Sequence, residues 1–326
     1  MESNQDFFIQ PNPLDHYGFL KDFKESLVGH ELLSPGIVKH LAATGRAIYS
    51  IFLILPPNGL ISAQTLLGLT SIMRLFGLSG RRTQREGFEL IADQDVKLNE
   101  LLAELQNKGF VVGGTGAHLY QIESCVGFLH CQNAIVDSPS LAQGLWKKLK
   151  EYAFEKELPS ALRIGVSGCP NQCGLAVLND LGLSPLYLKP PEVKKELLKT
   201  KDLDLKLLRQ ICPTGALKVR KNKEEIALKI DSSRCSKCTS CLQAQPELFQ
   251  QDGAREVIIT LKKGNTKSPA QRVVIDRIII HGSDYEAVST RVRYLVDLWV
   301  NKAKTGEEIG DTLLRLKKEG ANLNLG

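Results

Sequence analysis

Hydrophobic positions along the chain follow two periods, and the change from one to the other marks its elements. The run "IYSIFLIL" (48–55) is apolar at nearly every position and is closed by Pro56 and Pro57. That pattern predicts a buried strand. The stretch 61–77 follows, with Leu66, Leu67, Thr70, Met73 and Leu75 at helical spacing. It is the longest apolar segment, but Gln64, Thr65, Ser71 and Arg74 interrupt it. It reads as a buried helix and not as a membrane span. "TQREGFELIA" (83–92) predicts the next strand, and "VKLNELLAELQNKG" (96–109) a helix ended by Gly109. Strand, helix, strand, helix is an α+β half-domain.

The remaining pattern is less regular. Residues 1–36 read as an irregular arm punctuated by Pro11, Pro13 and Pro35. "VVGGTGAHL" (111–119) is a glycine turn without the spacing of a dinucleotide fingerprint. Segment 138–158 has Leu141, Leu145, Trp146, Leu149 and Tyr152 at helical spacing, with Trp146 read as core. "ALRIGVSG" (161–168) predicts a strand that leads straight into a cysteine motif. A basic stretch, 192–224, precedes a second cysteine group. "RVVIDRIIIHG" (272–282) predicts a strand, and 284–306 a long amphipathic helix.

Charge narrows the functional classes only slightly. Lys and Arg number 42 against 36 Asp and Glu, a net charge of +6. The basic residues are scattered, with no aromatic platform among them, so nucleic acid is not an expected partner. An anionic cofactor would neutralise part of the surplus inside the protein. The polar N-terminus has no basic segment before an apolar core, so the expected location is cytoplasmic.

Cysteine changes the picture. Eight cysteines without a secretory signal point to metal and away from disulfides. They fall into two sets of four. In "RCSKCTSC", Cys235, Cys238 and Cys241 are spaced C-x2-C-x2-C, the wrap of one iron–sulfur cube. Zinc sites draw more often on separated C-x2-C pairs. Gln245 stands before Pro246 where a two-cluster ferredoxin would place its next cysteine. The run is one ligand short, and Cys212 of "ICPTG" is the natural fourth. The other set is Cys125 and Cys131 (C-x5-C) with Cys169 and Cys173 (C-x3-C) in "GVSGCPNQCG". By spacing alone a disulfide or zinc remains open there, though neither fits a common motif.

This second pattern resembles the siroheme-containing sulfite and nitrite reductases. The likeness runs through "HELLSPGIVKHLAATG", "TQREGFELIAD", "GGTGAHL", "FLHC", "LPSALRIGVSGC" and "NQCGLAVLNDLGL". Their order is similar to that in the beta-type subunits of dissimilatory sulfite reductase. The resemblance implies an α+β fold of sulfite/nitrite reductase half-domains with an inserted ferredoxin-like [4Fe-4S] domain. It implies an N-terminal half-domain at 1–120, a siroheme and cluster domain at 121–196 and 266–326, and an insert at 197–265.

The implied cofactors are siroheme and two [4Fe-4S] clusters. Cys125, Cys131, Cys169 and Cys173 would hold one cluster, with Cys173 also bridging to siroheme iron and Asn171 lying against the macrocycle. Cys212, Cys235, Cys238 and Cys241 would hold the other. Thr83, Arg81, Arg85, Gly114 and Gly116 would contact siroheme. His130, Arg85 and Arg163 would serve sulfite, with His130 as a proton source. The other histidines, His30 and His40 among them, have no comparable context and read as structural.

The departures matter as much. Tyr120 falls where catalytic halves often carry Arg, and Ala161 where they often carry Lys. Half of the family's cationic cage is missing. One explanation is a homologous alpha-type partner in an α2β2 assembly that supplies the rest, with a homodimer as the alternative. The expected activity is sulfite reduction to sulfide with electrons from an external donor protein. Nitrite or another oxyanion as substrate, a non-catalytic electron-transfer or assembly partner, and a zinc-binding module are the rivals.

Overall fold

The computed structural model describes residues 27–57, 59–83, 87–198, 204–221, 226–251, 253–264, 271–321 and 323. The first sheet contains β1 (Leu27–Ser34), β2 (Ile37–Ala42), β3 (Ala47–Ile54), β4 (Ser79–Arg82), β5 (Phe88–Asp93) and β6 (Val111–Val112). Its order is β1-β2-β3-β5-β4, with β6 on β3, and every pairing is antiparallel. The β1–β2 hairpin corrects the expectation of an irregular arm through residue 36. Pro35 and Gly36 form its turn, and Gly36 supplies the left-handed φ of 82° that the turn needs.

Helices α1 (Ala63–Phe76) and α2 (Leu98–Asn107) cover one face of this sheet. Ser62 caps α1 by accepting from the Thr65 amide at 3.0 Å, and Gly77 ends it in the left-handed conformation. Leu69 and Ile72 of α1 and Leu101 and Leu105 of α2 meet Ile51, Leu53, Leu90 and Ala92 of the sheet. Truncating one of these, such as Leu101→Ala, costs about 2–5 kcal/mol. The opposite sheet face is left to line a cavity.

The second sheet begins with β7 (Leu119–Ser124), β8 (Leu162–Val166) and β9 (Leu181–Tyr187), which run parallel. The crossover from β7 to β8 carries α3 (Ser138–Leu149) and α4 (Glu151–Phe154). A small insert follows, with β10 (Glu192–Val193), α5 (Leu205–Gln210), β11 (Leu217–Lys221), β12 (Ile226–Ile230), α6 (Ser240–Ala244) and β13 (Phe249–Gln250). It has its own apolar centre at Leu208, Leu217, Leu228, Leu248 and Phe249.

The chain then returns through β14 (Arg255–Lys262) and β15 (Arg272–Ile280) to complete the order β15-β14-β9-β8-β7. Residues 255–262, expected in the insert, thus hydrogen-bond into the main sheet. Their "REVIITLK" pattern pairs on both sides, with β9 and β15, which requires a central strand. Helices α7 (Glu286–Lys302) and α8 (Ile309–Lys318) close the largest core against α3. Trp299 is fully buried there, its indole donating to the Glu307 carbonyl at 2.9 Å. Trp146 packs against the same core, as its helical spacing predicts.

Candidate functional site

Parallel strands bring the first cysteine set together. In β7 and β8, Ser124 is the register partner of Val166, so Cys125 and the loop after Val166 emerge at the same sheet edge. The carboxyl ends of parallel strands are where such sheets place ligands. The Cys125 amide donates to the Val166 carbonyl at 3.3 Å. The Gly168 amide donates to Cys125 Sγ at 3.1 Å, and the Ser138 hydroxyl lies 2.9 Å from the same sulfur. Cys131 follows the short turn Gly127–Leu129.

Cys169 is buried and Cys173 is exposed, so the two thiols of C-x3-C have different surroundings. Burial pushes the Cys169 thiol up, and Cys125, Cys131 and Cys173 are near enough to add to it electrostatically. The Asn171 amide opposes this by hydrogen-bonding the sulfur, while the residue itself is exposed.

The loop is tight. Gln172 and Leu175 have left-handed φ values of 62° and 55°. A Cβ at Gly165 would come within 2.7 Å of the Gly174 carbonyl, and one at Gly174 would overlap the Val166 carbonyl. Glycine at both positions lets strand and loop touch. The buried side-chain oxygens of Ser167, Asn133 and Gln172 have no hydrogen-bond partner among the described residues. Orphaned polar atoms beside four thiols fit a site completed by a prosthetic group.

The second set lies in the insert. Cys212, Cys235, Cys238 and Cys241 together line one small cavity. Lys237 and Thr239, between these cysteines, have φ values of 59° and 66°, which coil the loop around that space. The Ala216 amide donates to Cys212 Sγ at 3.2 Å and the Lys237 amide to Cys235 Sγ at 3.4 Å. Burial pushes Cys241 up to about 11. Burial also acts to raise Cys212 and Cys238, but hydroxyl and amide donors from Thr214 and Ser240 outweigh it and hold both below the ordinary thiol. Amide-rich, thiol-lined walls suit an iron–sulfur cube. Among the described residues no His, Cys, Asp or Glu group is arranged around a single metal ion.

A third feature lies on the open face of the first sheet. It is a cavity of about 770 Å³, within the usual range for a cofactor pocket. Leu32, Phe52 and Ile54 give it apolar walls, and Arg81 and Arg82 give it positive charge. Apolar walls with guanidinium groups fit a flat macrocycle bearing carboxylates. The expected contacts Arg81, Thr83, Gly114 and Gly116 all line it. Strand β7 connects this cavity to the first cysteine set, since Tyr120 and Gln121 line the cavity and Cys125 follows the strand's end. Gln121 fixes the junction through both of its amide ends, to the Leu55 amide at 3.0 Å and the Leu55 carbonyl at 2.9 Å.

Other expected residues lie elsewhere. Arg85 is outside the described residues. Arg163 stacks on Tyr120, its guanidinium carbon 4.9 Å from the ring centre, and is not part of the cavity lining. His130 is exposed on the turn after Gly127–Leu129 and is also absent from the lining. The lining residues that were not foreseen include His30 and the buried Glu89. Only strand pairing brings them to one wall.

Residues 115–318 match the nitrite and sulphite reductase 4Fe-4S domain. The chain belongs to this family. Among its relatives, the beta subunit of dissimilatory-type sulfite reductase from Archaeoglobus fulgidus is 27% identical over 86% of this chain and 79% of its own length. The corresponding subunit from Nitratidesulfovibrio vulgaris is 23% identical over 88% and 79%. The crystal structure of dissimilatory sulfite reductase I superposes with a TM-score of 0.77 at 19% identity, covering 95% of this chain and 81% of that one. The reductase fold therefore extends beyond the matched domain and takes in the first sheet. Among the described residues no helix is long and apolar enough to cross a membrane.

Proposed function

We propose that this member of the family is the beta-type subunit of a siroheme-dependent sulfite reductase. One observation carries the reading: a single strand, β7, joins a cationic cavity of about 770 Å³ to a four-cysteine site at the end of a parallel sheet. Siroheme and two [4Fe-4S] clusters, when bound, would supply the electrons for removing oxygen from sulfite.

The chain's own residues would do the rest. Cys125, Cys131, Cys169 and Cys173 would hold the cluster beside the cavity, with the exposed Cys173 thiol placed towards the cofactor side. Cys212, Cys235, Cys238 and Cys241 would hold the cluster of the insert, the part of the chain an external donor would approach. Arg81, Thr83, Gly114 and Gly116 seat the macrocycle, joined by Arg85. The insert and the first cysteine loop face one another across a cavity of about 270 Å³, between Asn133 and Ile135 on one side and Thr239 and Leu242 on the other. That proximity supports electron passage between the two sets.

The cationic cage supports a heteromer. Arg81 is paired with Glu89 at 2.5 Å, which offsets part of its charge, and Arg163 is stacked behind Tyr120. A homologous alpha-type subunit would bring the missing cations. Val126, Phe128 and Leu129 lie exposed between Cys125 and Cys131, a surface suited to burial by that partner. His130 on the same turn would then face the shared interface. The three expected parts, 1–120, 121–196 with 266–326, and 197–265, would in this reading be the cavity, cluster and electron-entry units, with 255–262 going to the cluster unit through their pairing in the main sheet.

The test is anaerobic purification, alone and with a homologous chain, followed by iron and labile-sulfide analysis, absorption and EPR spectra, and turnover of sulfite and nitrite. A tetrapyrrole band, two cluster signals and faster sulfite turnover are expected. Zinc with no labile sulfide would overturn the redox reading. Nitrite turnover exceeding that of sulfite would overturn the substrate.

A further inference from the structure

One face of the first sheet carries an unbroken side-chain hydrogen-bond chain, with one member from each of five strands. His30 on β1 and His40 on β2 are cross-strand partners, their Nδ1 atoms 2.7 Å apart. His40 Nε2 lies 2.8 Å from Ser50 Oγ on β3. Ser50 donates to Oε1 of Glu89 on β5 at 2.6 Å. Arg81 on β4 donates from Nε to Oε2 of Glu89 at 2.5 Å. His30, Glu89 and Arg81 all line the large cavity, while His40 and Ser50 continue the row between them.

The carboxylate end sets the direction of every hydrogen bond. An ionised carboxylate only accepts, so Ser50 must donate to Glu89. The Ser50 oxygen then accepts from His40, which places the proton of neutral His40 on Nε2. The bare Nδ1 of His40 accepts in turn from His30. Donors on this side thus point from His30, which is exposed, to Glu89, which is 3% exposed, while Arg81 donates to Glu89 from the other side.

We propose that this row is a proton relay from the solvent-exposed rim of the cavity at His30 to its buried wall at Glu89. The proposal rests on the reductase reading, in which each oxygen lost from the substrate leaves as water and consumes protons. In one passage protonated His30 gives its Nδ1 proton to His40 Nδ1. His40 gives its Nε2 proton to Ser50 Oγ, and Ser50 gives its hydroxyl proton to Glu89 Oε1. His30 ends neutral and Glu89 ends protonated. His40 and Ser50 each gain one proton and lose one, no electron moves, and His40, left with its proton on Nδ1, must exchange it back to Nε2 before the next passage. Glu89 then passes the proton to an oxygen of the anion in the cavity.

The charged groups around His40 are His30, Glu89 and Arg81, each from a different strand. Burial, His30 and Arg81 favour its neutral form, and Glu89 opposes them. A neutral His40 is the state the relay requires at rest. Ser50, His40 and His30 act through Glu89 and are positioning residues, with Glu89 the group that meets the substrate.

The test uses the anaerobically prepared holoprotein. Nitrogen-15 NMR should find His40 as the Nε2–H tautomer, with that bias lost in Glu89→Gln. Ser50→Ala should lower sulfite kcat by about tenfold to a hundredfold, the lower range for acid–base groups, with KM unchanged. Ser50→Thr, which keeps the hydroxyl, should retain the rate. His30→Ala should slow turnover and regain it with added imidazole. If Ser50→Ala fails to fold, Glu89→Gln takes its place in the kinetic arm. An unchanged kcat and pH profile in a folded Ser50→Ala or Glu89→Gln protein overturns the relay, as does an Nδ1–H tautomer at His40. Wild-type protein that holds iron and tetrapyrrole but turns over no sulfite refutes the reductase reading instead, and the tautomer then decides the relay.

Discussion

The guanidinium carbon of Arg163 lies 4.9 Å from the centre of the Tyr120 ring, which places the tyrosine between this cation and the cavity it lines. The stacking is worth about 0.5–2 kcal/mol. Asp180 also holds Arg163, accepting from its backbone amide at 2.9 Å and lying 3.7 Å from Nη1. Tyr120→Ala should free the guanidinium to turn into the cavity and tighten sulfite binding several-fold. Calorimetric titration of the holoprotein measures this, and an unchanged or weaker affinity would contradict it.

The two cysteine sets should fail separately. Cys235→Ser should remove about half of the iron, because the insert has its own core and cavity. Its EPR signal should vanish while the tetrapyrrole band persists. Cys173→Ser should do the reverse, weakening the tetrapyrrole band and sparing the insert cluster. Loss of both signals from either variant would show that the sites are interdependent.

Arg272 ties the loop after Cys173 to the sheet. It donates to the Asn179 carbonyl at 2.6 Å, the Val177 carbonyl at 3.2 Å and the Thr260 carbonyl at 3.1 Å. Burial lowers its pKa to about 10, so it remains charged at neutral pH. Arg272→Ala removes these three hydrogen bonds and should cost about 2–4 kcal/mol. Urea unfolding measures the cost. Iron should be lost from the Cys125 set before the insert, and an insert lost first would refute this role.

His40 gives stability a pH dependence of known sign. Burial and the neighbouring His30 hold it below the ordinary value of 6.5. A group with a depressed folded pKa contributes stability that is present above its unfolded value and lost as pH falls through the folded one. Wild-type protein should therefore lose stability on acidification below the ordinary histidine range. His40→Gln should flatten that slope, as read from urea midpoints at about pH 7.5 and about pH 5. Parallel slopes in the two proteins would exclude His40 as a source.

Much of the fold could be read from periodicity. The strand at 48–55 and the helices at 61–77 and 96–109 were visible because one face of each is buried against a single layer. The β1–β2 hairpin was not. Val28, Leu32 and Leu33 are exposed while His30 and His40 face each other, so apolar and polar residues do not sort by face there. Strand β14 was hidden for another reason: its apolar stretch 257–259 is short and flanked by Arg255, Glu256, Thr260 and Lys262, and only its pairing on both sides makes it a central strand.

The sequence by itself determined the cysteine chemistry. Thiol ligands of one cluster sit a few residues apart on a loop, so C-x2-C-x2-C and C-x3-C can be read directly from the chain. The tight glycine-bearing turn "GVSGCPNQCG" is local in the same way. Only the tertiary structure decided what surrounds that chemistry. The row from His30 to Arg81 takes one residue from each of five strands spread from residue 30 to 89, and both of its ends lie on the cavity wall. Those residues meet because antiparallel registers align them, and register is a property of paired strands that no single segment encodes. Likewise Arg163 stands behind Tyr120 because β7 and β8 run parallel side by side, a long-range pairing that spacing along the chain cannot reveal.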